Sequence, residues 1–207
     1  MRRPETGPAA RKQPGQAEYG YSLIELVFVA GVMATVAGIA VPQLLASLDD
    51  LRTLGAVRYV SSRLQQTRME AVVRSRDAAL RFVPVGTSFS YTVYLDGNRN
   101  GVRSTDIQNG VDRVVQRAER LRDQFPGIDF GTVVGLPGVE GSAPPGSDPV
   151  KLGPGSMATF TASGTATTGS IYVKGPSSVQ YVIRIYGETG KTRILKFDPR
   201  HRLWKPL

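Results

Sequence analysis

The sequence predicts an α+β fold: one long N-terminal helix, apolar in its first half, packed through its second half on a small, mostly antiparallel β domain. Three observations predict it. Residues 23–48 are apolar nearly throughout, with Glu25 as their single charge. Apolar residues then recur at three- and four-residue intervals to about residue 74, the period of a helix with one buried face. Beyond Arg76 the pattern alternates, as in strands whose successive side chains point to opposite faces.

Composition bounds the function. With 207 residues the chain holds one domain with appendages, or two small domains at most. At 41% hydrophobic and 21% charged residues it resembles neither a disordered chain nor a polytopic membrane protein. Lys and Arg number 26 against 17 Asp and Glu, and the balance of +9 favours anionic partners such as nucleic acid or acidic lipid. The absence of cysteine excludes disulfides, thiolate metal sites and a Cys nucleophile, and leaves the redox compartment open. His201 is the single histidine, which argues against His-rich metal centres and most His-based acid–base catalysis. No G-x-S-x-G, H-E-x-x-H or paired-carboxylate motif is recognisable, so no catalytic residue, metal or cofactor is expected and the chain reads as a non-enzyme.

Residues 1–20 are a polar leader with Arg2, Arg3, Arg11 and Lys12 against Glu5 and Glu18, too poor in apolar side chains to bury a core. Residues 21–48 read as a transmembrane helix, since about 20 apolar residues cross the roughly 30 Å hydrocarbon layer. Basic groups precede the span and Asp49 and Asp50 follow it, which predicts a cytoplasmic N-terminus and an exported remainder. A secretory signal peptide is the competing reading; against it, the run is longer than a usual signal core and ends without a clear small-x-small cleavage site. Glu25 is the informative residue, because a carboxylate near the end of a span costs up to a few kcal/mol. No Lys or Arg lies within a helical turn or two of it. Either the carboxylate snorkels or stays protonated, or its partner lies outside the chain.

Gly20 followed by Tyr-Ser-Leu-Ile-Glu over residues 21–25 and a long apolar helix resembles the prepilin cleavage and methylation motif of type IV pilins and type II secretion pseudopilins. The resemblance implies a pilin-like ladle with the long helix as its handle. It implies cleavage after Gly20 by a prepilin peptidase, methylation of the new Tyr21 amine, and pairing of Glu25 with the N-terminal amine of a neighbouring subunit. Tyr21 stands where the family more often has Phe or Met. Pro42 falls where many pilins also carry proline; it removes a helix hydrogen bond and, one turn after Gly38, marks a weak point. The implied partners are other pilin or pseudopilin subunits, the prepilin peptidase and the inner-membrane assembly platform. The implied location is the bacterial inner membrane, single-pass with the C-terminal domain periplasmic, and then the pilus or pseudopilus.

Ala30, Ala34 and Gly38 form a small-xxx-small face that lets another helix approach closely. Over residues 49–76 the helix continues as an amphipathic one, with Leu48, Leu51, Leu54, Val57, Val60, Leu64, Ala71 and Val72 as its apolar stripe. From about residue 22 to about residue 74 it is about 80 Å long at 1.5 Å per residue.

Residues 77–207 form the β-rich domain. Segments 79–85 and 89–95 around Gly86 read as a hairpin, and 111–121, 128–134, 157–162, 170–174, 179–186 and 193–197 as further strands. Residues 136–156 hold five Pro and five Gly and read as a surface loop. Asp96-Gly97-Asn98-Arg99-Asn100-Gly101 with Asp106 resembles the start of a calcium loop, but Ile107 stands where the final carboxylate belongs, and a tight turn explains the same residues. Gly187 to Thr192 mimics the end of a phosphate-binding loop, but Ile185 replaces its first glycine and a strand follows, so a hairpin turn fits better.

The tail from Phe160-x-x-x-Gly164 through residues 171–175 and 181–185 to Gly190-Lys-Thr-Arg193 resembles the C-terminal signature of the GspH/FimT family, the minor pseudopilin H of type II secretion and FimT-like minor pilins. Lys191 replaces the commoner Arg, which keeps the charge and loses bidentate contact. With the N-terminal motif the resemblance covers about residues 19–197, residues 136–156 being an unmatched insertion. Lys191, Arg193, Lys196, Arg200 and Arg202 are candidate DNA-binding residues, since such a cationic surface neutralises phosphates without sequence preference and some FimT-like members capture DNA. A solvated basic face, or a contact with acidic subunits, is the plainer reading of the same residues. The functional expectation is a minor pilin or pseudopilin precursor in a type II secretion pseudopilus or type IV pilus. A DNA-capturing minor pilin, and a singly anchored exported binding protein or enzyme that never polymerises, are the alternatives.

Overall fold

The computed structural model describes residues 20–207; most of the leader, with Arg2, Arg3, Arg11 and Lys12, lies outside the described residues. The chain divides into two compact units, Met1–Gln43 and Leu44–Leu207. Helix α1 (Leu23–Arg74) contributes to both.

In the first unit the helix opens with the Leu26 N–H donating to the Ser22 carbonyl at 3.1 Å. The Thr35 hydroxyl donates back to the Gly31 carbonyl at 2.9 Å, so this polar side chain is satisfied within the helix. Pro42 lies inside α1, which is helical on both sides of it. Every described residue of this unit is exposed. A helix that is apolar all round and buries nothing against its own protein needs apolar surroundings, and this one is long and apolar enough to cross a membrane.

In the second unit α1 buries Thr53, Ala56, Val57, Val60, Leu64, Thr67 and Ala71. These steps of three and four stay on one face. The expected stripe is corrected at its ends, for Leu51 is 62% and Val72 46% exposed. Successive steps of three from Leu48 to Val57 each fall about 60° short of a full turn, so that stripe winds off the buried face. Threonines complete the face instead. Their hydroxyls donate to the carbonyls four residues back, Thr53 to Asp49 at 2.6 Å and Thr67 to Arg63 at 2.8 Å, which leaves their methyl groups free to pack.

The strands form two antiparallel sheets. β1 (Ala78–Val85), β2 (Ser88–Leu95), β3 (Arg113–Arg120) and β6 (Met157–Phe160) give one, in the order β3-β2-β1-β6. The other runs β10 (Leu203–Pro206), β9 (Lys191–Asp198), β8 (Gln180–Tyr186), β7 (Gly169–Lys174), β4 (Asp129–Phe130), with β5 (Val150–Lys151) also pairing with β7. Short helices α2 (Ser104–Gln108) and α3 (Leu121–Gln124) flank β3. The main core joins the α1 face to Leu80, Phe82, Tyr91 and Val93 of the first sheet and Ile171, Val173, Tyr181, Ile183 and Ile185 of the second. Phe130 links the two, edge-on to Phe82 at 5.3 Å and to Tyr91 at 5.9 Å between ring centroids. The α+β expectation, a long N-terminal helix with antiparallel sheets, is met.

The hairpin over β1 and β2 lies where the alternation placed it, with Gly86 at φ 62 in its turn. The segment 128–134 keeps only β4, because the Val133 N–H is taken by the Gln180 side chain at 3.0 Å rather than by a neighbouring strand. Residues 136–156 are irregular chain apart from one two-residue strand, but they are held down by buried side chains. They form a strap containing β5, with Leu136, Val139, Val150 and Leu152 each no more than 4% exposed. Leu136 and Val139 cover Tyr172, Val182 and Leu195 on the side of the second sheet away from α1. Trp204 closes that cluster and donates from Nε1 to the Pro137 carbonyl at 3.0 Å.

Candidate functional site

Of the candidate processing and assembly residues, Gly20, Tyr21 and Glu25 lie where α1 begins, and Pro42 lies inside it. Gly20 and Tyr21 precede α1 in non-helical backbone, and Tyr21 is 78% exposed. Gly20 is open enough that a Cβ added there would meet nothing within 4 Å. Glu25 lies in the first turn, where the positive end of the helix dipole favours a carboxylate. No described residue donates a hydrogen bond to it or pairs with it. Ala30, Ala34 and Gly38 lie exposed at four-residue spacing along the same helix, as does Pro42 further on.

The five cationic residues of the tail do not form one cluster. Lys196 faces α1, donating to Asp50 Oδ2 at 2.7 Å, while the Tyr181 hydroxyl donates to Asp50 Oδ1 at 2.9 Å. Burial, and then Asp50, push the Tyr181 phenol above its ordinary pKa. Arg200 and Arg202 lie in the turn between β9 and β10, and Arg202 donates to the Gly135 carbonyl at 2.9 Å. Asp198 beside them is held well below the usual carboxylate range, chiefly by Lys205 and then by His201. Lys191 and Arg193 project from the other side of β9, over the strap. There Arg193 meets Arg184 and Tyr186, two tail residues outside the candidate set, and Glu140, which the sequence reading did not single out. The signal for Arg184 and Tyr186 lies in the hairpin itself: counting outward from the Gly187–Gly190 turn opposes Tyr186 to Lys191 and Arg184 to Arg193. Glu140 carries no such signal, because it arrives from the strap.

The loop after β2 is a closed turn. Asp96, 2% exposed, accepts the Asn98 and Arg99 N–H groups on Oδ1 at 3.0 and 2.8 Å and the Gly101 N–H on Oδ2 at 2.9 Å. Asp112 accepts the Gly97 and Arg103 N–H groups at 3.0 and 2.9 Å. Among the described residues no group of three acids or histidines is placed to hold a metal. Adding calcium should therefore leave the thermal unfolding midpoint unchanged; a calcium-dependent rise would show these carboxylates turning from backbone to cation.

A separate polar network ties α1 to β3. Glu119 accepts from Arg63 at 2.6 Å and from the Tyr59 hydroxyl at 2.7 Å, with the Tyr91 hydroxyl at 3.3 Å. Burial, and then the Glu119 charge, push the Tyr91 phenol well above its ordinary pKa. Every charged group here has a partner within the chain, so the network reads as structural.

Fold and exposed segment together define a class: an α+β chain whose N-terminal helix is long and apolar enough to cross a membrane and whose domain rests on antiparallel sheets. Among solved structures, the minor pseudopilin EpsH from the Type 2 Secretion System of Vibrio cholerae is similar at 16% sequence identity and a TM-score of 0.42, over 69% of this chain and 94% of that one. No family model matches the chain, and no curated protein matches it.

Proposed function

We propose that the chain is the precursor of a minor pilin or pseudopilin, a structural subunit of a type II secretion pseudopilus or type IV pilus. The peptidase cuts between Gly20 and Tyr21 and the Tyr21 amine is methylated. The helix then leaves the inner membrane for the filament, with the domain on the periplasmic side. Glu25 carries this reading: it is a carboxylate with no partner among the described residues, in the first turn of a helix whose apolar residues up to Leu48 are all exposed, five residues after Gly20. In apolar surroundings an unpaired charge is costly, and the methylated amine of a neighbouring subunit matches it.

Glu25→Ala should abolish incorporation into filaments in the native cell while leaving membrane insertion intact, read by fractionation and filament pull-down. Unchanged incorporation would favour a singly anchored exported protein that never polymerises. Intact mass of the membrane-extracted chain should show loss of residues 1–20 and one added methyl group. A second reading, DNA capture by a FimT-like minor pilin, is favoured by one observation: the exposed Lys191 and Arg193 share a face of the sheet with a further, half-buried arginine, Arg184.

A further inference from the structure

Arg184 and Arg193 are directly opposed across β8 and β9, and Tyr186 and Lys191 form the next opposed pair. Residues two apart on a strand share a face, so three cations and a phenol converge on one patch, away from α1. Like charges directly opposite each other are unfavourable unless an anion lies between them. Glu140 of the strap supplies a single negative charge. It accepts the Tyr186 hydroxyl at 2.7 and 2.9 Å, but Arg193 Nη1 stands 3.8 Å from Oε1 and Arg184 Nε 3.9 Å from Oε2. Direct guanidinium–carboxylate hydrogen bonds are about 2.7–2.9 Å long, so both arginines stand about 1 Å too far away.

The arginines are nonetheless in position. Arg184 Nη1 donates to Ser170 Oγ at 3.0 Å, which fixes its guanidinium, while its Nε is buried with no hydrogen-bond partner. Lys191 is exposed, and no carboxylate among the described residues lies within ion-pair range of it. Glu140 sits at φ 49 beside Gly141 at φ 79, a left-handed backbone that costs a non-glycine residue energy. The turn is anchored by the buried Val139 and closed by the Ser142 N–H on the Val139 carbonyl at 2.9 Å. A flat carboxylate tethered there reaches the phenol and falls short of the guanidiniums. A free tetrahedral oxyanion is not tethered and has acceptors in more directions.

We propose that Arg184, Arg193, Lys191 and Tyr186 form a phosphate-binding site, and that Glu140 occupies and closes it when no ligand is bound. Opening needs only the Glu140 side chain to swing out, with Val139 left in the core. The ligand is a phosphate group, free or within the phosphodiester backbone of a single-stranded nucleic acid. The nucleic-acid source rests on the second reading above; the site and its closure do not.

The test is calorimetric titration of the detergent-solubilised full chain with inorganic phosphate, and separately with a short single-stranded oligonucleotide. Glu140→Gln keeps the side-chain shape and removes the competing charge. It should bind inorganic phosphate at least about fivefold more tightly than the unaltered chain, the lower end of usual coupling between two ligands. Adding Arg193→Gln to it should abolish the binding, whereas adding Lys196→Gln, on the opposite face of β9, should leave it unchanged. Equal affinity with and without Glu140→Gln overturns the closure. Equal losses from the Arg193 and Lys196 changes overturn the site, since they would indicate diffuse charge attraction. Binding of phosphate without binding of the oligonucleotide retains the site and removes the nucleic-acid reading.

Discussion

Leu64→Ala should lower the unfolding free energy of the domain by about 2–5 kcal/mol, toward the upper end of that range. Leu64 is wholly buried and lies midway along the α1 face that meets both sheets. Truncation costs most where the surroundings cannot collapse into the space left behind. Here the helix is pinned on two sides. Toward β9, Ser61 Oγ lies 3.2 Å from Thr192 Oγ1 and Gln65 Nε2 donates to the same atom at 2.9 Å. Toward β3, Tyr59 and Arg63 hold Glu119 at 2.7 and 2.6 Å. Sliding α1 inward would break one set or the other, so the cavity stays. Leu51→Ala, on the same helix but 62% exposed, should change stability by no more than about 0.5 kcal/mol. Urea unfolding of the full chain in detergent separates the two, and equal effects would mean that Leu64 does not face the core.

The parts of the fold legible in the sequence are those with long, regular patterns. The 52-residue helix and the β1–β2 hairpin declare themselves through periods of 3.6 and 2. What escaped has a local physical reason in each case. The buried face of α1 includes Thr53 and Thr67, polar by residue type yet apolar in use once their hydroxyls turn back on the helix. β10 ends in Pro206, which argues against a strand except at the sheet edge, where β10 lies. The strap at 136–156 is dominated by Pro and Gly, and its few apolar anchors outweigh that composition because each is fully used against the sheet. The expectation at Gly20, Tyr21 and Glu25 rests on a contiguous motif, which a sequence displays without any folding. The basic tail was legible only as a charge count. Arg193 and Lys196 are an odd number of residues apart, so a strand sends them to opposite faces. Their partners, Glu140 and Asp50, come from the strap and from a helix 146 residues earlier than Lys196.

Gly175→Ala should cost more than about 3 kcal/mol, beyond the usual range for overpacking. A Cβ on Gly175 would lie 2.0 Å from Thr53 Oγ1 and 2.9 Å from Thr53 Cγ2. The backbone there, at φ −98, suits any residue, so the cost is contact and not conformation. Neither side can yield cheaply. Thr53 is fully buried and donates to the Asp49 carbonyl at 2.6 Å, so rotating it away sacrifices that bond and moves its atoms against the core. The Gly175 N–H donates to the Val179 carbonyl at 2.8 Å, and within the same turn Ser177 Oγ donates to Asp49 Oδ2 at 3.2 Å. Thr53→Ala removes both of the nearest atoms and leaves Thr53 Cβ at 3.0 Å, and by itself should cost about 2 kcal/mol for the lost hydrogen bond and the lost buried methyl. The double variant should therefore be more stable than additivity allows, by about 2 kcal/mol, as expected for residues in direct contact. A double-mutant cycle by urea unfolding measures this coupling. Strictly additive losses would show that the turn after β7 does not rest on α1 at Thr53, and would displace the second sheet from the helix at that point.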